Sequence, residues 1–230
     1  MVVNRETLLR ACAPSDIMRR NVVIGVDQNV NEQIWVAGTP EGIFAHGRTK
    51  SWEDFEKLKL MWNAIVVSDP NPYPTMPKKM ADKYHDWYLC YFKELKGMDA
   101  TQRNGQVISA DRTRLIDTVA TELSEARLLI REKPSELEDY IADWQNLYRT
   151  TVEKPDGQSK STWLKKDNKE SDFSFATCYM RVGLSLILGG GSFNLVGDKP
   201  DAPKSDIITV DGQGYQTVGN AVRDTLRDLE

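Results

Sequence analysis

The chain has 230 residues, 40% of them apolar and 28% charged, with a formal net charge of −4. This balance is that of an ordinary globular domain, and it lends no compositional support to nucleic-acid binding, which more often goes with a basic domain. No apolar run approaches the ~20 residues that span a bilayer, and the opening MVVNRETLLR carries charges where a secretion signal would be apolar. The three cysteines, Cys12, Cys90 and Cys178, are scattered, which fits buried free thiols in a reducing compartment. The two histidines, His46 and His85, read as surface or structural residues and argue against a zinc site or a Ser/His/Asp triad.

Residues 1–20 read as a lead-in, with a short helix over Arg5 to Cys12 broken by Pro14. The run Asn21 to Asp27, NVVIGVD, is short, apolar and β-branched, so it predicts a central strand buried on both faces, with Asp27 at its tip. Gln33 to Gly38 and Gly42 to Gly47 follow as two strands joined by Thr39-Pro40-Glu41. Ser51, with Asp54 three residues on, caps a helix through Trp62 that sets Phe55, Leu58 and Trp62 on one face. Asn63 to Asp69, NAIVVSD, is a second short apolar strand ending in an acid, and the proline-rich 70–74 fixes its exit. A helix over Thr75 to Asp86 leads to a strand, WYLCYF, at Trp87 to Phe92. Lys93 to Asn104 reads as polar loop.

Gly105 to Ala110 is a short strand. Asp111 then caps a helix through Leu128, with Leu115, Val119, Leu123 and Ala126 as its buried stripe. Ser135 and Glu138 suggest a capping box for a helix through Leu147. Tyr148 to Glu153 and Ser161 to Leu164 read as a β-hairpin turning at Pro155-Asp156-Gly157. The helix that starts at Ser171-Asp172 is apolar nearly all round and so packs on the sheet. Gly189-Gly190-Gly191-Ser192 reads as a linker to a polar tail, 193–230, with a short helix at Thr217 to Leu229. Trp52, Trp62, Trp87 and Trp144 read as core.

Asp27, Asp69 and Asp172 stand out by position. Each has a bland reading: Asp27 and Asp69 as turn openers, Asp172 as a helix N-cap. Two of them end short buried strands, and if those strands are parallel neighbours their acids share one sheet edge. A helix packed on that sheet brings its first residue to the same place. Converging carboxylates repel one another, and a divalent cation relieves the repulsion. Oxygen ligands favour Mg²⁺ or Mn²⁺, and two such ions ~3.5–4 Å apart suit phosphodiester cleavage.

The stretches VVIGVD (22–27), IVVSDPNP (65–72), KKMADKYHDWYLCYF (78–92), ISADRTRLID (108–117), YIADWQNLYR (140–149), Trp163 and DFSFATCYMRVGL (172–184) together resemble the nuclease domain of bacteriophage large terminase subunits. The resemblance covers roughly residues 20–188. It implies an α/β, ribonuclease H-like fold: a mixed central sheet flanked by helices, here with an inserted β-hairpin and a flexible C-terminal tail. It implies a domain at 21–188 after a lead-in at 1–20, with 189–230 a Gly-linked tail suited to docking. The implied activity is metal-dependent endonucleolytic cutting of double-stranded concatemeric DNA during genome packaging, in the host cytoplasm, with Asp27, Asp69 and Asp172 as catalytic metal ligands. The implied partners are the portal, the small terminase subunit and an ATPase domain, whose GxxxxGK[ST] loop this sequence lacks. Two departures touch the second metal: Phe173 stands where the family commonly has histidine, and Glu32 matches a further acid only approximately. Lys78, Lys79, Lys160, Lys165, Lys166 and Lys169 are candidate DNA contacts, though each also reads as part of a solvated face. A resolvase or transposase of the same fold, or a non-catalytic docking module, are the competing expectations.

Overall fold

The computed structural model describes residues 3–95, 100–153, 159–166 and 171–188, together with the backbone of 208–210 and 213–215. Two compact units divide the chain, Met1–Leu195 and Val196–Glu230. In the first, the elements run α1 (Arg5–Ala11), β1 (Val23–Gln28), β2 (Gln33–Thr39), β3 (Gly42–Thr49), α2 (Trp52–Trp62), β4 (Ile65–Ser68), α3 (Thr75–Lys83) and β5 (Trp87–Phe92). Then come β6 (Thr101–Asn104), β7 (Val107–Ala110), α4 (Arg112–Ser124), a 3-10 turn at Pro134–Glu136, α5 (Glu138–Gln145), β8 (Leu147–Glu153), β9 (Ser159–Lys165) and α6 (Asp172–Ile187). The second unit contains an antiparallel pair, β10 (Ile208–Val210) and β11 (Gln213–Tyr215).

Seven strands form one mixed sheet in the order β3-β2-β1-β4-β5-β7-β6. β1, β4, β5 and β7 run parallel, β2 and β3 form the antiparallel meander at one edge, and β6 returns antiparallel at the other. The hairpin β8–β9 is a separate two-stranded sheet. This is the mixed α/β architecture that the sequence predicts.

Successive residues of a strand point to opposite faces, and the central strands obey this residue by residue. Ile24, Val26, Trp35, Val66 and Trp87 join Phe55 of α2 and Met80 of α3 in one core. Val23, Val36, Val67 and Cys90 join α6, α4 and α1 in the other. The second core is built around α6, which is buried along nearly its whole length. α6 approaches β1 closely because each carries a glycine where the other presses on it. A Cβ at Gly25 would lie 2.0 Å from the Ala176 carbonyl oxygen, and one at Gly183 would lie 2.3 Å from Val23. The lead-in helix α1 also reaches this core, through Val3, Leu8 and Ala11.

Several local expectations are corrected. The 93–104 segment is not all loop: β6 pairs with β7 from Thr101↔Ala110 to Asn104↔Val107. Its mostly exposed polar residues give an edge strand no hydrophobic signature, and the Asn104-Gly105 turn, with Gly105 at φ +60°, is what marked it. The helix after Asp111 ends at Ser124 rather than Leu128. Ala126 is not on its buried stripe. It sits at φ 53°, with its N–H donating to the Leu123 carbonyl and that of Arg127 to the Glu122 carbonyl. This is a Schellman turn with alanine where glycine is usual, so the stop lacked its usual marker. The Ser135–Glu138 capping box does not form. Pro134 opens a 3-10 turn, the Lys133 N–H donates to Glu136, and the carboxylate of Glu138 binds Arg5 instead. The Pro155-Asp156-Gly157 turn, the 189–192 linker and the 217–229 helix lie outside the described residues.

Candidate active site

The face rule that sorts the core also places the acids. Val23 and Val67 face α6, so Asp27, four residues after Val23, and Asp69, two after Val67, face α6 as well. β1 and β4 pair in parallel with Val26 beside Ser68, and the Asp69 N–H donates to the Val26 carbonyl at 3.0 Å. Both acids therefore leave the same edge of the sheet on the same side. Asp172 is the first residue of α6, the helix laid across that side. The three line one cleft of about 510 Å³, together with Arg112, Lys165 and Tyr179.

The bland readings resolve differently for each acid. Asp69 does act in its turn: Oδ1 accepts from the Asn71 N–H at 2.7 Å, while Oδ2 accepts from the Tyr179 hydroxyl at 2.9 Å. Asp172 is not the helix cap. That role falls to Asp143 of α5, which accepts from the N–H groups of Phe173 (3.1 Å) and Ser174 (2.9 Å) and from the Ser174 hydroxyl (2.6 Å). Asp172 is left 8% exposed, with Oδ2 buried and unpartnered and Oδ1 3.5 Å from Lys165 Nζ. Asp27 makes no hydrogen bond through its carboxylate among the described residues.

Burial first, and then the charges of Asp172 and Asp69, push the Asp27 carboxyl well above the usual carboxylate range, with Lys165 opposing them. Asp69 is raised by burial, against the hydrogen bonds from Asn71 and Tyr179. Tyr179 is raised well above its ordinary value by burial and by the neighbouring Asp27 and Asp69 charges. The cleft thus holds more negative charge than its own donors satisfy.

Among the described residues, no three His, Cys, Asp or Glu side chains stand close enough, as they are turned, to hold a metal ion. Asp69 faces Tyr179, and Asp172 faces Lys165. The donor chemistry nevertheless fits a hard divalent cation. The donors are all carboxylate oxygens, one of them is an orphaned buried atom, and the excess charge is of the sign a cation relieves.

The candidate lysines separate. Lys165, at the end of β9, lines the cleft. Lys160 pairs with Glu94 at 3.1 Å. Lys78 and Lys79 are exposed on α3 and do not line the cleft, and Lys166 is exposed just past β9. Lys169 lies outside the described residues. Glu32, the approximate match for a further acid, pairs with Arg48 at 2.7 Å. Phe173, in the position where histidine was expected, packs edge-on against His46, whose Nδ1 is 2.7 Å from Glu132. His46 is thus structural.

The sequence reading missed Asp143, Arg112 and Tyr179. Asp143 carried a signal: it lies one turn beyond Tyr140 and next to Trp144, on the buried face of an amphipathic helix, where an unpaired acid is out of place. Arg112 was hidden behind the capping role of Asp111, which the structure does show. Tyr179 looked like one more apolar residue of α6.

Fold and site together define a ribonuclease H-like domain with an acidic cleft at the ends of its parallel strands. Among solved structures, a mutant nuclease domain of the large terminase subunit gp2 of bacterial virus Sf6, with manganese, matches at TM-score 0.57 and 11% identity, over 78% of this chain and 98% of that one. The same mutant domain with manganese and beta-thujaplicinol matches at TM-score 0.52 and 12% identity, over 80% and 98%. The chain thus shares its fold with a viral terminase nuclease domain. No protein-family model and no curated protein matches the sequence.

Proposed function

We propose that this domain is a divalent-metal-dependent endonuclease of the DNA-packaging terminase type, cutting double-stranded DNA in a virus-infected cell. The observation that carries the reading is the delivery of Asp27, Asp69 and Asp172 into one cleft by two parallel strands and the helix packed on them. The shared fold supports it, and so does the manganese present in the Sf6 structures.

Asp27, Asp69 and Asp172 would hold Mg²⁺ or Mn²⁺, two ions in our reading. When bound, the cations supply positive charge that offsets the carboxylates and stabilises charge developing on a phosphodiester. The remaining work is done by this chain's own residues. Asp143 holds the start of α6, and so the position of Asp172, through three hydrogen bonds. Tyr179 orients Asp69. Lys165 faces Asp172 and offers a cation to the DNA backbone. The portal, the small terminase subunit and an ATPase domain complete the proposed motor.

Plasmid nicking by the wild type and by Asp69→Ala, with EDTA, Mg²⁺ and Mn²⁺ in parallel, tests the proposal. Metal-dependent nicking that disappears in the variant is expected. Cutting that survives EDTA, or that Asp69→Ala leaves intact, would overturn it, as would the absence of cutting in every condition. A branched substrate cut in preference to linear duplex would move the assignment to a resolvase.

A further inference from the structure

The cleft contains a second charged group, of opposite sign, that the acids do not use. Arg112 is the first residue of α4 and lines the cleft beside Asp172 and Lys165. Its guanidinium carbon lies 4.9 Å from the centre of the Phe175 ring, and Lys165 Nζ lies 5.0 Å from the same centre. Phe175 is buried at 6% exposure and is braced by Phe92, 5.9 Å away. Two cations are thus mounted on one fixed aromatic ring.

Three carboxylates share the cleft with Arg112, yet its side chain forms no ion pair or hydrogen bond among the described residues, and its Nε is buried without a partner. A guanidinium that only neutralised the acids would be expected to pair with one of them. Held on a ring with its donors unpaired, it carries a planar fork that matches phosphate geometry. Lys165 adds a point charge alongside. A polyanion entering an acidic cleft also requires local cations, because the chain as a whole carries −4.

We propose that Arg112, together with Lys165, forms a phosphate-binding subsite on the Phe175 side of the cleft, which holds a backbone phosphate of the strand next to the carboxylates. The nuclease reading enters only in naming DNA as the polyanion.

The test is binding of a fluorescent blunt duplex by the full chain in EDTA, across a low-salt series, with nicking kinetics measured separately. Arg112→Ala is expected to bind roughly tenfold more weakly and to reduce the salt slope by about one. Arg112→Lys should keep the slope and regain only part of the affinity, since it keeps the charge and loses the fork. Lys57→Ala, on α2 across the sheet, serves as the control and should bind like the wild type. Thermal melts check that each variant is folded.

An Arg112→Ala chain with wild-type affinity and slope overturns the subsite, as does a wild type that binds no duplex at low salt. Wild-type affinity in Arg112→Lys would show that charge alone binds, and would overturn the fork. The two readings fail separately. Arg112-dependent, salt-sensitive binding without any cutting would keep the subsite and remove the nuclease, and cutting with Arg112→Ala kinetics identical to the wild type would do the reverse.

Discussion

Two sets of acids lie against α6, and the protein treats them in opposite ways. Asp143 and Glu122 are satisfied. The first accepts three hydrogen bonds from the start of α6, and the second forms a two-pronged pair with Arg181 at 2.7 and 2.8 Å. Asp27 and Asp172 are not. The former has neighbours of its own charge, and the latter has a buried oxygen with no partner. Burying a charge is tolerable when it is paired and costly when it is not. The first set fixes where α6 lies. The second set sits where α6 crosses the strand ends, and its cost makes sense if something outside the chain relieves it.

The contrast is sharpened most by removing a charge from each set. Asp27→Asn is expected to lower plasmid nicking on the order of 10³-fold. It should also leave the melting temperature of the metal-free chain unchanged or higher, because it removes a repulsion rather than a bond. Nicking and a thermal melt on the same preparation check both signs. An Asp27→Asn chain that unfolds would erase the distinction between the two sets.

Asp143→Ala is expected to do the opposite. It strips the partner from two N–H groups and one hydroxyl at a buried helix start, at a cost of ~2–4 kcal/mol. At ~2–4 °C per kcal/mol for a chain of this size, the melting temperature should fall by several degrees. Activity should fall as well, though less steeply than in Asp27→Asn, because the ligand set stays whole. A melt indistinguishable from wild type would mean that the Asp143 contacts do not hold the helix start.

Added Mn²⁺ probes the unsatisfied set directly. A ligand that binds only the folded state stabilises it by ~2.7 kcal/mol at a hundred times its dissociation constant. The wild-type melting temperature should therefore rise with Mn²⁺ and return with EDTA. The rise should vanish in Asp27→Asn. An equal rise in both chains would place the ion elsewhere.

The legibility of the two sets from sequence also differs, and for a physical reason. Asp27 and Asp69 end short β-branched runs, and strand periodicity fixes which face they take, so their convergence follows from pattern alone once the strands are parallel neighbours. Asp172 begins an apolar helix that has to pack on that sheet. Asp143 is different: it caps a helix 29 residues later in the chain, counted from Asp143 to Asp172, and only the tertiary fold brings the two together. Arg112 and Phe175 meet in the same non-local way. The polar edge strand β6 and the alanine at the end of α4 were missed for a different reason, since in both the local chemistry departs from the common rule.

The smallest effect comes from an acid that is not buried at all. Glu138 of α5 holds Arg5 of α1 in a two-pronged pair at 2.6 and 2.7 Å, with both side chains at least half exposed. The hydrogen bond from Arg5 holds the Glu138 carboxyl below its ordinary value. A lowered folded-state value means that the stabilisation is present above the unfolded pKa and is lost as pH falls through the folded one. Exposed pairs contribute little and are screened by salt. Glu138→Gln should therefore melt within the repeatability of the wild type at neutral pH, and any small gap should close on acidification or in high salt. If Glu138→Gln lowered the melting temperature as far as Asp143→Ala does, removal from water would not be what separates structural from silent acids here. The excess charge at Asp27 would then lose its claim to mark a site.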